Sequence, residues 1–77
     1  MLKVVLRGVL KDFHPEKKEV VMVDNSQKMS LGELMAALGL EKGQVGVALV
    51  NGKVIHDRQY QLEEGSVVEL HPIFGGG

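Results

Sequence analysis

The sequence contains no cysteine, and this absence removes several classes of function at once. A chain without thiols forms no disulfides, offers no thiolate to a metal ion and has no cysteine nucleophile. Of its 77 residues, 44% are hydrophobic and 25% are charged, which is the composition of one small globular domain with a single core. Packing alone must therefore stabilise the fold.

A strong net charge and a long hydrophobic run are also missing. The formal net charge is -1, so the chain lacks the excess of positive charge that would attract nucleic acids or anionic membranes. No apolar run approaches the roughly 20 residues of a membrane-spanning helix, and Lys3 and Arg7 interrupt the segment Met1–Leu10 where a signal peptide would be apolar. We expect a cytoplasmic protein, with no nucleic-acid or membrane partner, that is recognised by shape.

The first part of the sequence predicts a β-hairpin. Leu2–Leu10 alternates and is rich in β-branched residues, and Glu19–Asp24 is a second β-prone run. The charged segment between them, which contains His14 and Pro15, predicts a long hairpin tip. We interpret three lysines of this tip as solvated charges: Lys11, Lys17 and Lys18.

The stretch MSLGELMAALGL, residues 29–40, carries signals for both ends of a helix. Ser30 followed by Glu33 predicts a capping box, and Gly39 predicts a left-handed end. Apolar residues recur at the spacing of one helix face, which predicts a buried face of Leu31, Leu34, Met35 and Leu38. We expect a short helix of about three turns.

The second half of the sequence predicts three strands. Val45–Val50 is a nearly continuous apolar run, and the Asn-Gly pair after it predicts a tight turn into the returning segment KVI. Ser66–Phe74 predicts the last strand, with Pro72 near its end, where a missing amide is tolerated. The order ββαβββ, with parallel first and last strands at the centre, predicts an α+β fold of the β-grasp type, in which one helix packs on one face of a mixed sheet. We expect a domain over residues 1–74 and a flexible glycine tail over 75–77.

Three residue types are candidates for sites and are interpreted as structural. His14, His56 and His71 lie in separate segments without a second ligand at helical spacing, so we expect no metal site. His56 and Asp57 form no catalytic pair because no nucleophile accompanies them. Met22, Met29 and Met35 are predicted to fill the core.

The sequence ends on three glycines, preceded by HPIF. Glycine loses more conformational freedom on ordering than any other residue, so such an end is either a loose terminus or linker remnant, or a segment that must be thin. Phe74, just before the glycines, is either a cap on the core or a residue that docks on a partner.

Several motifs together resemble the ubiquitin-like sulfur carriers of the molybdopterin and thiamine pathways. They are VNGKVI, LEEG followed by SVVELHPIF, and the terminal GGG. SLGELMAALGL matches the helix of these carriers, and Gly76 and Gly77 match their C-terminal diglycine. The resemblance spans nearly the whole chain.

The resemblance implies a chemistry for the tail. In such carriers an activating enzyme uses ATP to adenylate the terminal carboxylate, here that of Gly77, and a sulfur donor converts the adenylate to a thiocarboxylate. The acceptor is the large subunit of molybdopterin synthase or thiazole synthase. Gly77 would be the reacting residue, and Phe74, Gly75 and Gly76 would contact the partners. The chain would be a co-substrate rather than an enzyme, with no bound cofactor and no metal.

Two other functions remain open at this point. A ubiquitin-like modifier would use the same activation and join Gly77 to a lysine of another protein, and a plain β-grasp interaction module would have an inert tail. The pathway is also open. The compact stretch Leu38–Val47 favours the thiamine-type carriers, whereas HPIFGGG favours the molybdopterin synthase small subunit, the side to which we lean.

Overall fold

The computed structural model describes residues 1–40 and 43–73, which form a five-stranded mixed sheet with one helix on one face. The elements are β1 (Leu2–Leu6), a 3-10 helix (Gly8–Phe13), β2 (Val20–Val23), α1 (Leu31–Ala37), β3 (Val45–Val50), β4 (Lys53–Val54) and β5 (Val67–Pro72). The strand order is β2-β1-β5-β3-β4, in which β1 and β5 are parallel neighbours and the other pairs are antiparallel. The predicted ββαβββ order and β-grasp arrangement are confirmed.

The core lies between α1 and one face of the sheet, and the alternation in burial is clearest on β5. On β5, Val68 and Leu70 are fully buried toward the helix, while the residues between them are partly or fully exposed. The helix contributes Leu31, Leu34 and Met35 to this core, as its apolar spacing predicts. Leu38 is half-buried at the margin of the same cluster.

The first strand is shorter than the predicted Leu2–Leu10. It ends at Leu6, and the chain then turns into the 3-10 helix, where Gly8 has a φ of +55°. The amide of Leu10 donates to the carbonyl of Arg7 at 3.1 Å, and the Leu10 side chain is fully buried. The side chain of Leu10 thus enters the core from a turn. The alternation of apolar residues that predicted a strand to Leu10 does not distinguish such a turn from a strand.

Both predicted helix ends are confirmed, although the helix is shorter than three turns. The Ser30 hydroxyl accepts from the amide of Glu33 at 3.1 Å, and the Glu33 carboxylate accepts from the amide of Ser30 at 2.8 Å. At the other end, Gly39 has a φ of +76°, and the amide of Leu40 donates to the Met35 carbonyl at 2.9 Å, as in a Schellman ending. These caps enclose seven residues, about two turns.

The Asn-Gly turn between β3 and β4 forms as predicted and also connects to β5. Asn51 and Gly52 have φ values of +52° and +84°, as a tight hairpin turn requires. The side-chain oxygen of Asn51 accepts from the amide of Val67 at 2.9 Å. Asn51 therefore links the hairpin to the start of the last strand.

Met22 differs from its prediction, and Phe74 falls outside the residues that the structure describes. Met22 is 55% exposed on β2, so its assignment to the core is wrong; it lies on the sheet face opposite the helix. The last strand ends at Pro72, and Phe74, with which its predicted span Ser66–Phe74 closes, lies outside the described residues. Among residues 1–40 and 43–73, no helix has the length and hydropathy needed to cross a membrane.

Candidate functional site: the tail root and the open face of the sheet

The four predicted site residues, Phe74, Gly75, Gly76 and Gly77, lie outside the described residues. The structure does show the point from which they continue, Pro72–Ile73, here called the tail root. Pro72 is the last residue of β5, which lies at the centre of the sheet between β1 and β3. The amide of Arg7 donates to the carbonyl of Leu70 at 2.9 Å, so β5 is held by backbone hydrogen bonds close to its end.

Two glycines contact the tail root from the two neighbouring segments. A Cβ at Gly46 of β3 would lie 2.9 Å from the carbonyl oxygen of Pro72 and 3.1 Å from the Cα of Ile73. A Cβ at Gly8, which also has a φ of +55°, would lie 3.1 Å from Cγ of the Pro72 ring. A glycine inside a predicted strand, as at Gly46, can indicate a close backbone approach, but neither contact partner could be predicted, because the contacts join residues far apart in the chain.

Within residues 1–40 and 43–73, no element covers the sheet face opposite α1, which carries several apolar side chains and also Lys3, between Met22 and Val67. We call it the open face; its exposed apolar side chains are Val20, Met22, Val47, Val54 and Val67. Val5 and Leu49 pack between these residues in the middle of the sheet. Exposed apolar side chains that are grouped on one face of a small protein mark an interaction site.

A polar cluster of four side chains interrupts the open face next to the tail root. Arg7 lies 3.1 Å from the carboxylate of Glu19 and 3.5 Å from that of Glu69. The Glu69 carboxylate also contacts Nε2 of His71 at 2.5 Å. The hydrogen bond from His71, with a further contribution from Arg7, holds the pKa of Glu69 below its usual range. Glu69 is thus the shared acceptor of the cluster.

The other predicted candidates are placed in turns and loops. Nδ1 of His14 accepts from the amide of Glu16 at 3.1 Å, and the Asp57 carboxylate accepts from the amide of Gln59 at 2.9 Å. His56 lines a cleft of about 180 Å³ between α1 and β3, together with the Arg58 side chain. Over residues 1–40 and 43–73, no three His, Asp or Glu side chains are grouped closely enough to hold a metal ion.

Solved structures of known proteins share this fold. One is a chain in the complex of subunits 1 and 2 of the molybdopterin-converting factor from Helicobacter pylori 26695, with 24% identity, a TM-score of 0.64 and coverage of 99% of this chain and 97% of that one. Another is SAMP1 from Haloferax volcanii, with 18% identity, a TM-score of 0.70 and coverage of 99% and 98%. A third is the HVO 2177 protein from the same organism, with 20% identity, a TM-score of 0.71 and coverage of 99% and 85%.

The sequence itself gives the family. No curated protein matches it significantly. The model of the ThiS family, however, matches residues 6–77, which include nearly the whole described domain and all four residues that follow Ile73. The chain therefore belongs to the ThiS family of ubiquitin-like sulfur carriers.

Proposed function

We propose that the protein carries sulfur on the carboxylate of Gly77 for the biosynthesis of molybdopterin or, as the second pathway, of thiamine. The observation that carries the proposal is the ThiS family match, which runs through the β-grasp domain to Gly77. The described domain supports it, because the last strand ends next to the open face and leads into the glycines.

The first chemical step is adenylation. A free α-carboxylate has a pKa of about 3.3 to 3.7, so at neutral pH it is an anion and needs no general base from this chain. A carboxylate oxygen of Gly77 forms a bond to the α-phosphorus of ATP, and pyrophosphate leaves. The activating enzyme supplies the ATP site and the metal chemistry of that step, and the carrier supplies the nucleophile.

The second step transfers sulfur. The sulfur of a sulfide-level donor attacks the acyl carbon of Gly77 and AMP leaves, which gives the thiocarboxylate directly. If the donor is a protein persulfide, its terminal sulfur forms an acyl disulfide with Gly77 as AMP leaves, and a second thiol then reduces the S–S bond, which frees the thiocarboxylate and leaves the donor in a disulfide. The chain is then a protein co-substrate and not a catalyst, with no cofactor of its own. It has no cysteine, so no internal thiol competes for the activated acyl group.

The length of the tail sets where a partner must bind. The four residues after Ile73 span at most about 13 to 14 Å when fully extended. An enzyme whose active site holds Gly77 must therefore contact the domain close to Ile73. We propose that the activating enzyme binds the open face, since Val47 and the polar cluster of that face lie beside the tail root.

The later partner is the large subunit of molybdopterin synthase, with thiazole synthase as its counterpart in the thiamine pathway. The solved Helicobacter pylori complex contains two subunits of a molybdopterin-converting factor, which supports the first choice. HPIFGGG, with a proline and an aromatic residue before the glycines, supports it as well. We place these reactions in the cytoplasm.

Intact mass spectrometry of the protein from its native cells tests the function. A fraction of the chain in which one oxygen is replaced by sulfur is expected, and this fraction should disappear when the activating enzyme is deleted. Adducts of Gly77 on lysines of other proteins would instead indicate a modifier. Neither species would indicate an interaction module with an inert tail and would contradict the proposal.

The pathway is tested separately with the thiocarboxylate form of the purified protein. It should convert the sulfur-free pterin precursor when it is mixed with the large subunit of its own molybdopterin synthase. The control is the carboxylate form, which should give no conversion. Conversion by neither form would reject the molybdopterin pathway and leave that of thiamine.

A further inference from the structure

We propose that Gly46 is a positioning residue for the tail: because it has no side chain, the tail root can cross β3 closely, and this contact sets the direction in which the chain leaves the domain after Ile73. The inference rests on the proposed function, since this direction matters only if an enzyme must reach Gly77. It concerns a residue of β3 that lies in the middle of the sequence, not in the tail itself.

The contacts at Gly46 are unusually close and involve backbone only. A Cβ at this position would lie 2.9 Å from the Pro72 carbonyl oxygen, 3.1 Å from the Cα of Ile73 and 3.3 Å from its nitrogen. Real Cβ atoms essentially never approach another atom within 3.0 Å. Backbone atoms cannot rotate away as the end of a flexible side chain can, so a side chain at position 46 would force the backbone of the tail root or of β3 to shift.

Gly46 also lies at an irregularity of the sheet. Val45 is opposite Pro72 and Val47 is opposite His71, so the pairing register shifts across Gly46, as in a β-bulge. A bulge bends its strand and redirects the chain locally. The bulge lies opposite Pro72, the last paired residue of β5. A change in the geometry of the bulge would therefore change the direction of the residues that follow Pro72.

Gly8 holds the same segment from the other side. Its nearest contact is to Cγ of the Pro72 ring, whereas the contacts of Gly46 are to the backbone that leads into the tail. Pro72 is buried between them, while Ile73 is 55% exposed. Gly8 thus fixes where β5 ends, and Gly46 fixes the path of the residue that follows.

The test is the variant Gly46→Ala in ATP–pyrophosphate exchange with the cognate activating enzyme, with Gly43→Ala as the matched control. Position 43 is open, since a Cβ there would meet nothing within 4 Å. Because a misplacement of about 1 Å can lower a rate by as much as 100-fold, we expect kcat of Gly46→Ala to fall by at least about tenfold. KM should stay within about twofold, and Gly43→Ala should match the unmodified chain.

The division between kcat and KM separates positioning from folding. If Gly46 were needed only for stability, the variant would contain less folded carrier, which raises the apparent KM and leaves the rate at saturation unchanged. An unchanged kcat for Gly46→Ala would therefore overturn the inference. A lack of exchange with the unmodified chain would instead contradict the proposed function.

If Gly46→Ala does not fold, the unmodified chain answers the same question by NMR. The nuclear Overhauser effect between a Gly46 Hα and the amide proton of Ile73 should be present in the free protein and should persist when the activating enzyme is bound. Its loss on binding would show that the tail root leaves β3 during activation, which would overturn the role of Gly46.

Discussion

At the scale of single residues, Glu69 shows how one carboxylate organises the polar part of the open face. It accepts a hydrogen bond from His71 on its own strand and forms an ion pair with Arg7, which directly follows the neighbouring strand β1; Arg7 also pairs with Glu19. These side chains come from three separate stretches of the sequence: the antiparallel pairing of β1 with β2 brings Glu19 to Arg7, and the parallel pairing of β1 with β5 brings Arg7 to Glu69. Sequence reasoning treated His71 as solvated or packed and missed this contact.

The first prediction is that His71→Ala raises the pKa of Glu69. The hydrogen bond from His71 is the largest cause of the lowered pKa, so its removal should return the carboxyl toward its usual range. The measurement is an NMR titration of the Glu69 carboxyl carbon. Val47→Ala, which truncates the cross-strand neighbour of His71 and removes no hydrogen bond, is the control. An unchanged titration in His71→Ala would contradict the assignment.

The lowered pKa of Glu69 also determines how this residue affects the stability of the fold as the pH changes. Since the pKa of Glu69 is lower in the folded chain than its unfolded value of about 4.3, its contribution to stability is fully present above that value. The contribution is lost as the pH falls through the folded-state pKa. Unfolding curves of His71→Ala should therefore depend less steeply on pH in this acidic range than those of the unmodified chain.

At the scale of elements, α1 supplies side chains to the core although it is only about two turns long. Seven residues contribute Leu31, Leu34 and Met35 to the buried cluster, and both ends are capped. A helix this short is marginal alone, so its stability comes from packing against the sheet. The loss of one buried side chain should therefore affect the whole domain.

Leu34→Ala should lower the free energy of unfolding by about 2 to 5 kcal/mol, because it leaves a cavity beneath the helix. Leu34 is fully buried, whereas Leu38, the residue that caps the C-terminal end of the helix, is only half-buried. Leu38→Ala is therefore the matched control and should cost clearly less. Urea unfolding measures both values, and equal costs would mean that the buried face of the helix is not the one described.

Elements with local signals could be predicted: the capping box of Ser30 and Glu33, the left-handed Gly39 and the Asn51–Gly52 turn all form as expected. Features that depend on contacts between distant segments could not. The 3-10 turn that buries Leu10, the exposure of Met22 and the contact of Gly46 with the tail root follow from the sheet order.

At the scale of the whole molecule, the C-terminal segment continues from the centre of the sheet. The parallel pair of β1 and β5 ties the first strand to the last, and the tail root continues from the central strand rather than from an edge. The open face lies beside this root. In the proposed function, the domain is the part of the chain that an activating enzyme binds, and the tail is the part that reaches its active site.

Val47→Asp tests this docking surface. Val47 is 40% exposed on the open face, so the variant should fold but bring a charge into an apolar interface, where desolvation is costly. KM for the activating enzyme should rise about tenfold or more with kcat little changed. Phe13→Asp, at an exposed position outside the sheet, is the control and should leave KM unaltered. An unchanged KM in Val47→Asp would remove this part of the open face from the interface.

Gly76→Val tests whether the C-terminal glycines pass through a narrow channel of the activating enzyme or are only a loose terminus. If the glycines only terminate the chain, a valine there changes nothing, whereas in a narrow channel a β-branched side chain meets the walls and restricts the backbone. Unfolding free energy should stay within about 0.5 kcal/mol of the unmodified value. Adenylation should fall at least about tenfold, which corresponds to about 1.4 kcal/mol in the transition state.

Gln27→Val, in an exposed turn between β2 and α1, controls for an added surface valine. Equal activation rates for Gly76→Val and the control would show that the tail does not enter a channel, and adenylation at Gly77 would lose its physical basis.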